Sequence, residues 1–313
     1  MAACAVLITT IALLTIACTP APHRDRPGAA APNADRVVIP LLLHDDMLYV
    51  RSHVNGTDAG MFLIDTGSAL TVIGQGVAAR LGLPKTRSGT ALGVGGFERF
   101  TFRRVESLTI GGFPLAPRQL AGISMTRFQK PFGVAVNGII GFPALADFAF
   151  TIDSRQSTLT LVRPRVFQPP PKSHAQPFWI RAGLPHVEAE LHGGRRVPVL
   201  LDTGAHNDIT LPLSLLLRWP DVVAVPSTAA GRSVGVGGEV SSLRTWLVSL
   251  RLLGKQLKHM QTSFAAPTAG RRDADVGRVG NNLLKHFRLT FDAETQTVWA
   301  QWQPLEDWRE VRR

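Results

Sequence analysis

"FLIDTGSAL", Phe62–Leu70, sets an aspartate in the middle of an apolar run. "VLLDTGAHNDITL", Val199–Leu211, does so again in the later half of the chain, with Asp202 in the place of Asp65. Burying a carboxylate among apolar neighbours is costly unless something compensates it. A single copy reads as a turn, because Asp-Thr-Gly is good turn chemistry. Two copies admit another explanation, in which the carboxylates compensate each other. Two aspartates brought close together do not both ionise cheaply, so the pair shares a proton. The ionised partner can activate a water held between them while the protonated partner donates to a carbonyl oxygen. A threonine after each aspartate can hydrogen-bond to the opposite loop. A glycine after that has no side chain and lets the loops approach closely.

The repeat extends beyond these motifs. "GVGG" occurs at Gly93–Gly96 and again at Gly235–Gly238. "SLTIGGFPL" from Ser107 is echoed by "SLRLLGKQL" from Ser249 at the same spacing. "DFAFTIDSRQSTLTL" from Asp147 parallels "HFRLTFDAETQTVWA" from His286, with Phe148 and Phe287 in matching places. The spacing drifts slightly from one landmark to the next, and small loop insertions account for the drift. The halves run over residues 36–163 and 178–303. Between them "PRVFQPPPKSHAQP", residues 164–177, is too proline-rich for a helix or a central strand and reads as a linker; residues 304–313 are a tail. Short apolar or alternating runs such as "RVVIPLLL", "MLYVRSHV" and "GMFLID" are strand signals. Helical signals are brief: "GQGVAARLGL", "LPLSLLLRW", "PALADF" and "NLLKHF". The chain is therefore expected to be mostly β, in two similar lobes.

With 313 residues, 45% of them hydrophobic, the chain can build sizeable cores. The net charge of +11 is spread along the chain, with no basic helix and no basic stripe interleaved with aromatics. It implies a generally basic surface rather than a nucleic-acid site. The two cysteines, Cys4 and Cys18, lie near the N-terminus, so the rest has neither a disulfide nor a cysteine metal site. Residues 1–18 read as an exported leader, too short for a comfortable membrane span. "LLTIAC" resembles a bacterial lipoprotein signal, in which a small residue precedes a cysteine that is lipidated. Ala17 and Cys18 match, although no basic residue precedes the apolar run. Residues 19–35, rich in Pro and Ala, are a flexible tether. The expected location is the bacterial cell envelope on the periplasmic side, lipid-anchored or secreted.

On the paired motifs the chain resembles the retropepsin/pepsin-like aspartic proteases over about residues 36–303, in a bacterial single-chain form. The resemblance implies an all-β fold of two similar retropepsin-like β-barrel lobes, pepsin-like and bilobal, with a few short helices. It implies Asp65 and Asp202 as the catalytic pair, supported by Thr66, Gly67 and Ser68 in one loop and Thr203, Gly204 and Ala205 in the other. It implies glycine-rich flaps at Gly93, Val94, Gly95 and Gly96 and at Gly235, Val236, Gly237 and Gly238. Each lobe of the family also carries an apolar-apolar-Gly before a short helix. Ile139–Ile140–Gly141 fits, while Arg278–Val279–Gly280 puts an arginine at an apolar position. The implied activity is aspartic endopeptidase, acting on peptides or unfolded protein segments with no cofactor and no metal. The alternative is a catalytically silent peptide-binding module of the same fold. A fused pseudo-dimer is expected to be a monomer.

Several residues have blander readings. "GVGG" lacks the trailing Lys-Ser/Thr of a phosphate loop. His44, Asp45 and Asp46, adjacent on an expected strand, point to different faces and make a poor metal site. His206 has no nucleophile beside it and reads as structural. Asp208 either raises the pKa of Asp202 or faces solvent. The six tryptophans are expected mostly in the core or the groove wall, and the only tyrosine, Tyr49, is not in a flap.

Overall fold

The computed structural model describes residues 34–93, 96–126, 134–224, 229–235, 238–266, 275–306 and 308, with two further pairs at 7–8 and 14–15. Cys18, the leader apart from those two pairs, the tether before residue 34, Val94, Gly95, Val236 and Gly237, and the end of the tail lie outside the described residues. The molecule is mostly β with a few short helices. The four helical signals fall on Gln75–Arg80, Phe142–Leu145, Leu213–Arg218 and Asn281–Leu284. Among the described residues no helix is long and apolar enough to cross a membrane.

Each half builds its sheet in the same order. In the first, Met47–Val54 pairs antiparallel with Thr57–Asp65. Val136–Gly141 then lies parallel to Thr57–Asp65 and antiparallel to Val72–Gly74, so a late strand fills the gap that the Asp65 loop opens. In the second half Gly277–Gly280 fills the gap between Arg195–Asp202 and Ile209–Pro212 in the same way. Phe62, Leu63 and Ile64 are all buried, as a strand covered on both faces requires, which explains why the run before Asp65 does not alternate.

Both "GVGG" stretches close antiparallel hairpins. Lys85–Gly93 returns as Gly96–Arg104 with Gly93 opposite Gly96, and Ala229–Gly235 returns as Gly238–Leu252 with Gly235 opposite Gly238. Asp45 and Asp46, expected on a strand, form instead the two-residue turn between Leu42–His44 and Met47–Val54. Their φ angles of 47° and 60° suit a hairpin turn whose twist matches its strands, and aspartate tolerates that conformation well.

A third sheet joins the halves. Its six strands run His174–Pro177, Thr297–Trp302, Phe287–Asp292, Ala149–Asp153, Thr158–Val162, Arg36–Pro40. The two central strands are the "DFAFTID" and "HFRLTFD" repeats, paired antiparallel with Thr151 opposite Thr290. These two threonines occupy equivalent places in the repeat, so a local twofold axis passes between them. Their hydroxyls lie 2.8 Å apart, and Phe150 stacks on Phe291 with ring centroids 4.9 Å apart. The segment 164–177, expected to be a linker, contributes its last four residues to this sheet as an edge strand, where a proline is tolerated because one side of the strand needs no donor. The tail is also engaged, with Trp308 packing against His286 and Trp302. None of the six tryptophans is buried. Trp179 and Trp246 are exposed and the other four half-buried, in keeping with large rings that carry a polar N–H.

Candidate active site

The two Asp-Thr-Gly loops meet at the junction of the halves. Thr66 Oγ1 donates to Leu201 O at 2.7 Å and accepts from Thr203 N at 3.0 Å. Thr203 Oγ1 donates to Ile64 O at 2.9 Å and accepts from Thr66 N at 3.1 Å. Four hydrogen bonds thus satisfy two buried hydroxyls and four buried backbone groups reciprocally, which fixes the loops against each other. Gly67 and Gly204 are required by proximity. A Cβ on Gly67 would sit 2.2 Å from the Asp202 carboxyl carbon, and one on Gly204 2.4 Å from that of Asp65. Each glycine therefore backs onto the aspartate of the other half.

Within its own loop each carboxylate is held by the glycine two residues on. Gly67 N donates to Asp65 Oδ1 at 2.8 Å, and Gly204 N to Asp202 Oδ1 at 3.1 Å. Ser68 Oγ donates to Leu70 O at 2.8 Å, while Ser68 O and Ala205 O accept from Phe142 N and Asn281 N, tying each loop to the short helix behind it. The glycine before each helix is equally constrained. A Cβ on Gly141 or Gly280 would lie 2.5 Å from Leu70 O or 2.3 Å from Asn207 O.

Both aspartates are fully buried. Burial first, then the negative charge of Asp202 and a hydrogen bond between the two carboxyls, push the Asp65 pKa well above the usual carboxylate range, against the opposing pull of Gly67 N–H and Arg278. Arg278 breaks the symmetry of the pair. It comes from the strand that fills the second gap, is 7% exposed, and puts Nε 3.0 Å from Asp202 Oδ2. Its counterpart in the first half is Ile139. A guanidinium beside one aspartate localises the negative charge of the pair on Asp202 and leaves the proton on Asp65. The sequence marked Arg278 as a departure from the pattern but did not connect it to Asp202. Aligning the repeats residue by residue, Ile139 with Arg278, carries that signal.

The polar residues after Asp202 serve the contact between halves. His206 Nε2 lies 3.8 Å from Asp46 Oδ2 and 3.9 Å from Asp45 Oδ1, and the buried Lys285 donates to Asp46 Oδ1 at 2.7 Å. Asp46 is lowered to about 2, most by His206 and next, against burial, by Lys285. The neighbouring carboxylates raise His206 in turn, Asp46 foremost. Asp208 is half-buried rather than solvent-facing. Burial raises it to about 6, and its charged neighbours are Lys285, Asp46 and His206. It belongs with this cluster, one step away from the aspartate pair. Among the described residues no group of three or more His, Cys, Asp or Glu side chains is arranged to hold a metal ion.

Residues 50–144 match the family model described as aspartyl protease. That stretch contains Asp65, Thr66, Gly67, the first glycine-tipped hairpin and Ile139–Gly141. No curated protein matches the chain.

Proposed function

We propose, on the premise that the chain belongs to the aspartyl protease family through its residues 50–144, that it is an aspartic endopeptidase whose catalytic residues are Asp65 and Asp202. The observation that supports this most is the reciprocal threonine lock, which brings two buried carboxyls from the two halves together, with a guanidinium beside only one of them. In this reading Asp202, ionised beside Arg278, takes a proton from water as the water oxygen attacks the peptide carbonyl carbon. Asp65 gives its proton to the carbonyl oxygen, and a tetrahedral diol forms. Asp202 then gives the proton it took from water to the amide nitrogen, the C–N bond breaks, and the ionised Asp65 takes back a proton from one diol hydroxyl as the carbon becomes a carboxylic acid. The two hairpins whose described pairing ends at Gly93 opposite Gly96 and Gly235 opposite Gly238 cover an extended peptide bound by strand-like pairing. The substrate is a peptide or unfolded protein segment. The apolar leader ending at Cys18 supports a site of action in the bacterial cell envelope, on the periplasmic side, with the chain lipid-anchored or secreted. The internal twofold supports a monomer.

A second reading rests on the Arg278–Asp202 ion pair. With Asp202 Oδ2 engaged by Arg278, the same fold holds a peptide without cutting it. Digestion of a diverse peptide mixture from acid to neutral pH, read by mass spectrometry, decides between the two. Products from wild type and none from the folded Asp65→Asn or Asp202→Asn proteins support the endopeptidase. Products that persist in either variant overturn it. Binding without products supports the silent module.

A further inference from the structure

The twofold repeat sets the first hairpin of each half against the Asp-Thr-Gly loop of the other, so the junction has two equivalent seams. At one, the turn Ala182–Gly183 between Trp179–Arg181 and Leu184–Leu191 meets the loop after Asp65. A methyl on Gly183 would lie 3.5 Å from Ala69 Cβ and 3.8 Å from Pro143 Cγ, so this seam is apolar. At the other, the equivalent turn Asp45–Asp46 meets the loop after Asp202. There His206 stands in the place of Ala69, Asn281 and Asn282 in the places of Phe142 and Pro143, and Lys285 in the place of Ala146. Lys285 and Asn281 are 3% and 1% exposed, and both donate to Asp46, Lys285 to the carboxylate and Asn281 to the backbone oxygen.

The polar seam is built onto the Asp202 loop itself. His206 and Asp208 follow Asp202 on one short stretch. Asn281 N donates to Ala205 O at 2.6 Å and Gly280 N to Asp208 O at 3.0 Å, so the loop, the short helix behind it and the turn of the other half form one unit. The charged groups that face one another are Asp45 and Asp46 from the turn, His206 and Asp208 from the loop, and Lys285 from the end of the helix. Tyr49, behind the turn, is kept uncharged well past neutral pH by burial and by Asp45. With His206 protonated and Asp208 neutral, two cations, His206 and Lys285, meet two carboxylates, Asp45 and Asp46, and the seam is balanced. With His206 neutral and Asp208 ionised, one cation meets three carboxylates. Charge at a buried contact is costly unless it is balanced. Asp208, raised by burial to about 6, and His206, raised most by Asp46, carry the seam from the first state to the second as pH climbs from mildly acidic to alkaline.

We infer that the Asp46–Lys285 seam is an acid-closed latch. Balanced, it holds the Asp202 loop against the first half; the net gain of two negative charges loosens it while the apolar Gly183 seam stays shut. Asp46, Lys285 and Asn281 are positioning residues for Asp202, and His206 and Asp208 set the pH at which the hold is lost. The latch operates whether the site cuts peptides or only holds them. Its effect on turnover rests on the endopeptidase reading, in which a small misplacement of Asp202 disables the pair.

Hydrogen exchange of the full chain, read by mass spectrometry and corrected for the intrinsic pH dependence of exchange, compares the two seams within one molecule. The amides of Gly280 and Asn281 report the latch, and that of Phe142, which donates to Ser68 O, reports the apolar seam. Between about pH 5 and about pH 8, protection is expected to fall about tenfold or more at the latch and to stay level at Phe142. In His206→Lys combined with Asp208→Asn, two cations meet two carboxylates throughout that range, and protection at the latch is expected to stay level. Wild-type seams that lose protection together, or not at all, overturn the latch with no variant needed. Profiles of kcat/KM against pH on one peptide test the effect on turnover. The double variant is expected to keep, at about pH 8, about tenfold or more of the activity that wild type has lost there relative to its acidic maximum. An alkaline limit that does not move overturns the effect on turnover. Should wild type cut nothing, the endopeptidase reading fails, and the exchange comparison alone decides the latch.

Discussion

Lys285, buried in the second half, reaches Asp46 on the hairpin turn of the first half, with Nζ 2.7 Å from Oδ1. With His206 and Asp208 it makes the contact between halves sensitive to pH. Asp46 is lowered to about 2, so its contribution is present above its ordinary value of 3.8 and is lost as pH falls toward 2. His206 is raised above 6.5, so its contribution is complete below 6.5 and is lost as pH rises through the folded value. Asp208 holds its proton up to about 6 in the folded chain, so stability declines as pH rises from 3.8 through that range. The raised Asp65 acts in the same direction. Denaturant midpoints are therefore expected to peak in mildly acidic solution and to fall toward neutral pH, with a shallower fall in His206→Asn. A midpoint that climbs steadily to alkaline pH would contradict this. Lys285→Met is expected to lower stability by about 1–3 kcal/mol by leaving the Asp46 carboxylate short of a partner.

Substitutions at the two aspartates of the pair are expected to differ in their effect on stability while sharing, in the endopeptidase reading, a loss of activity. Arg278 beside Asp202 favours the proton on Asp65, so Asp65→Asn is expected to replace one neutral group by another and to shift stability by less than about 1 kcal/mol. Asp202→Asn leaves the Arg278 guanidinium buried beside a neutral amide and is expected to cost about 3–5 kcal/mol. Chemical denaturation of the two variants side by side measures the difference. Equal effects would mean that the charge is shared evenly across the pair.

The threonine lock gives a separable effect. Thr66→Val or Thr203→Val removes one hydroxyl and strands a buried carbonyl and a buried N–H. The expected loss is about 2–4 kcal/mol, with Thr→Ser at either site close to wild type. Circular dichroism melts of the four variants test it. A valine variant as stable as its serine counterpart would mean that the lock adds nothing.

Gly67→Ala and Gly204→Ala should each disable the site, because the added methyl overlaps the carboxyl of the opposite half. Activity is expected to fall at least a hundredfold, as small misplacements of reacting groups do. Gly56→Ala is a useful contrast, since a methyl there meets no neighbour within 4 Å and the only effect is mild backbone strain at φ 75°. Parallel kinetics on the three proteins reads the comparison.

Much of this was legible in the residues. The repeated Asp-Thr-Gly runs, the paired glycine stretches and the later "TID" and "TFD" echoes locate two lobes of one pattern, because backbone proximity and strand register demand those residue types. The four short α-helices named above among the described residues were visible as brief interruptions of strand signals. Three things were not. The turn at Asp45–Asp46 was hidden because His-Asp-Asp-Met lacks the glycine that usually marks a tight hairpin. The edge strand His174–Pro177 was hidden because proline reads as a break unless its unpaired side is known. The partner of Arg278 was hidden because Asp202 lies far from it along the chain, so the arginine showed as a departure from the pattern without showing what it meets. Long-range pairing supplies what local pattern cannot.

Arg278 has no twin, since Ile139 stands in its place in the other half. In a protein assembled from two identical copies every substitution is made twice. An arginine at that position would bring two guanidiniums onto two aspartates, and both carboxyls would then favour the charged state, leaving no proton to donate. Joining the copies in one polypeptide removes this restriction. One lobe can take on a charge that the other must refuse, and a site built from twofold-related halves becomes able to distinguish the two ends of what it holds.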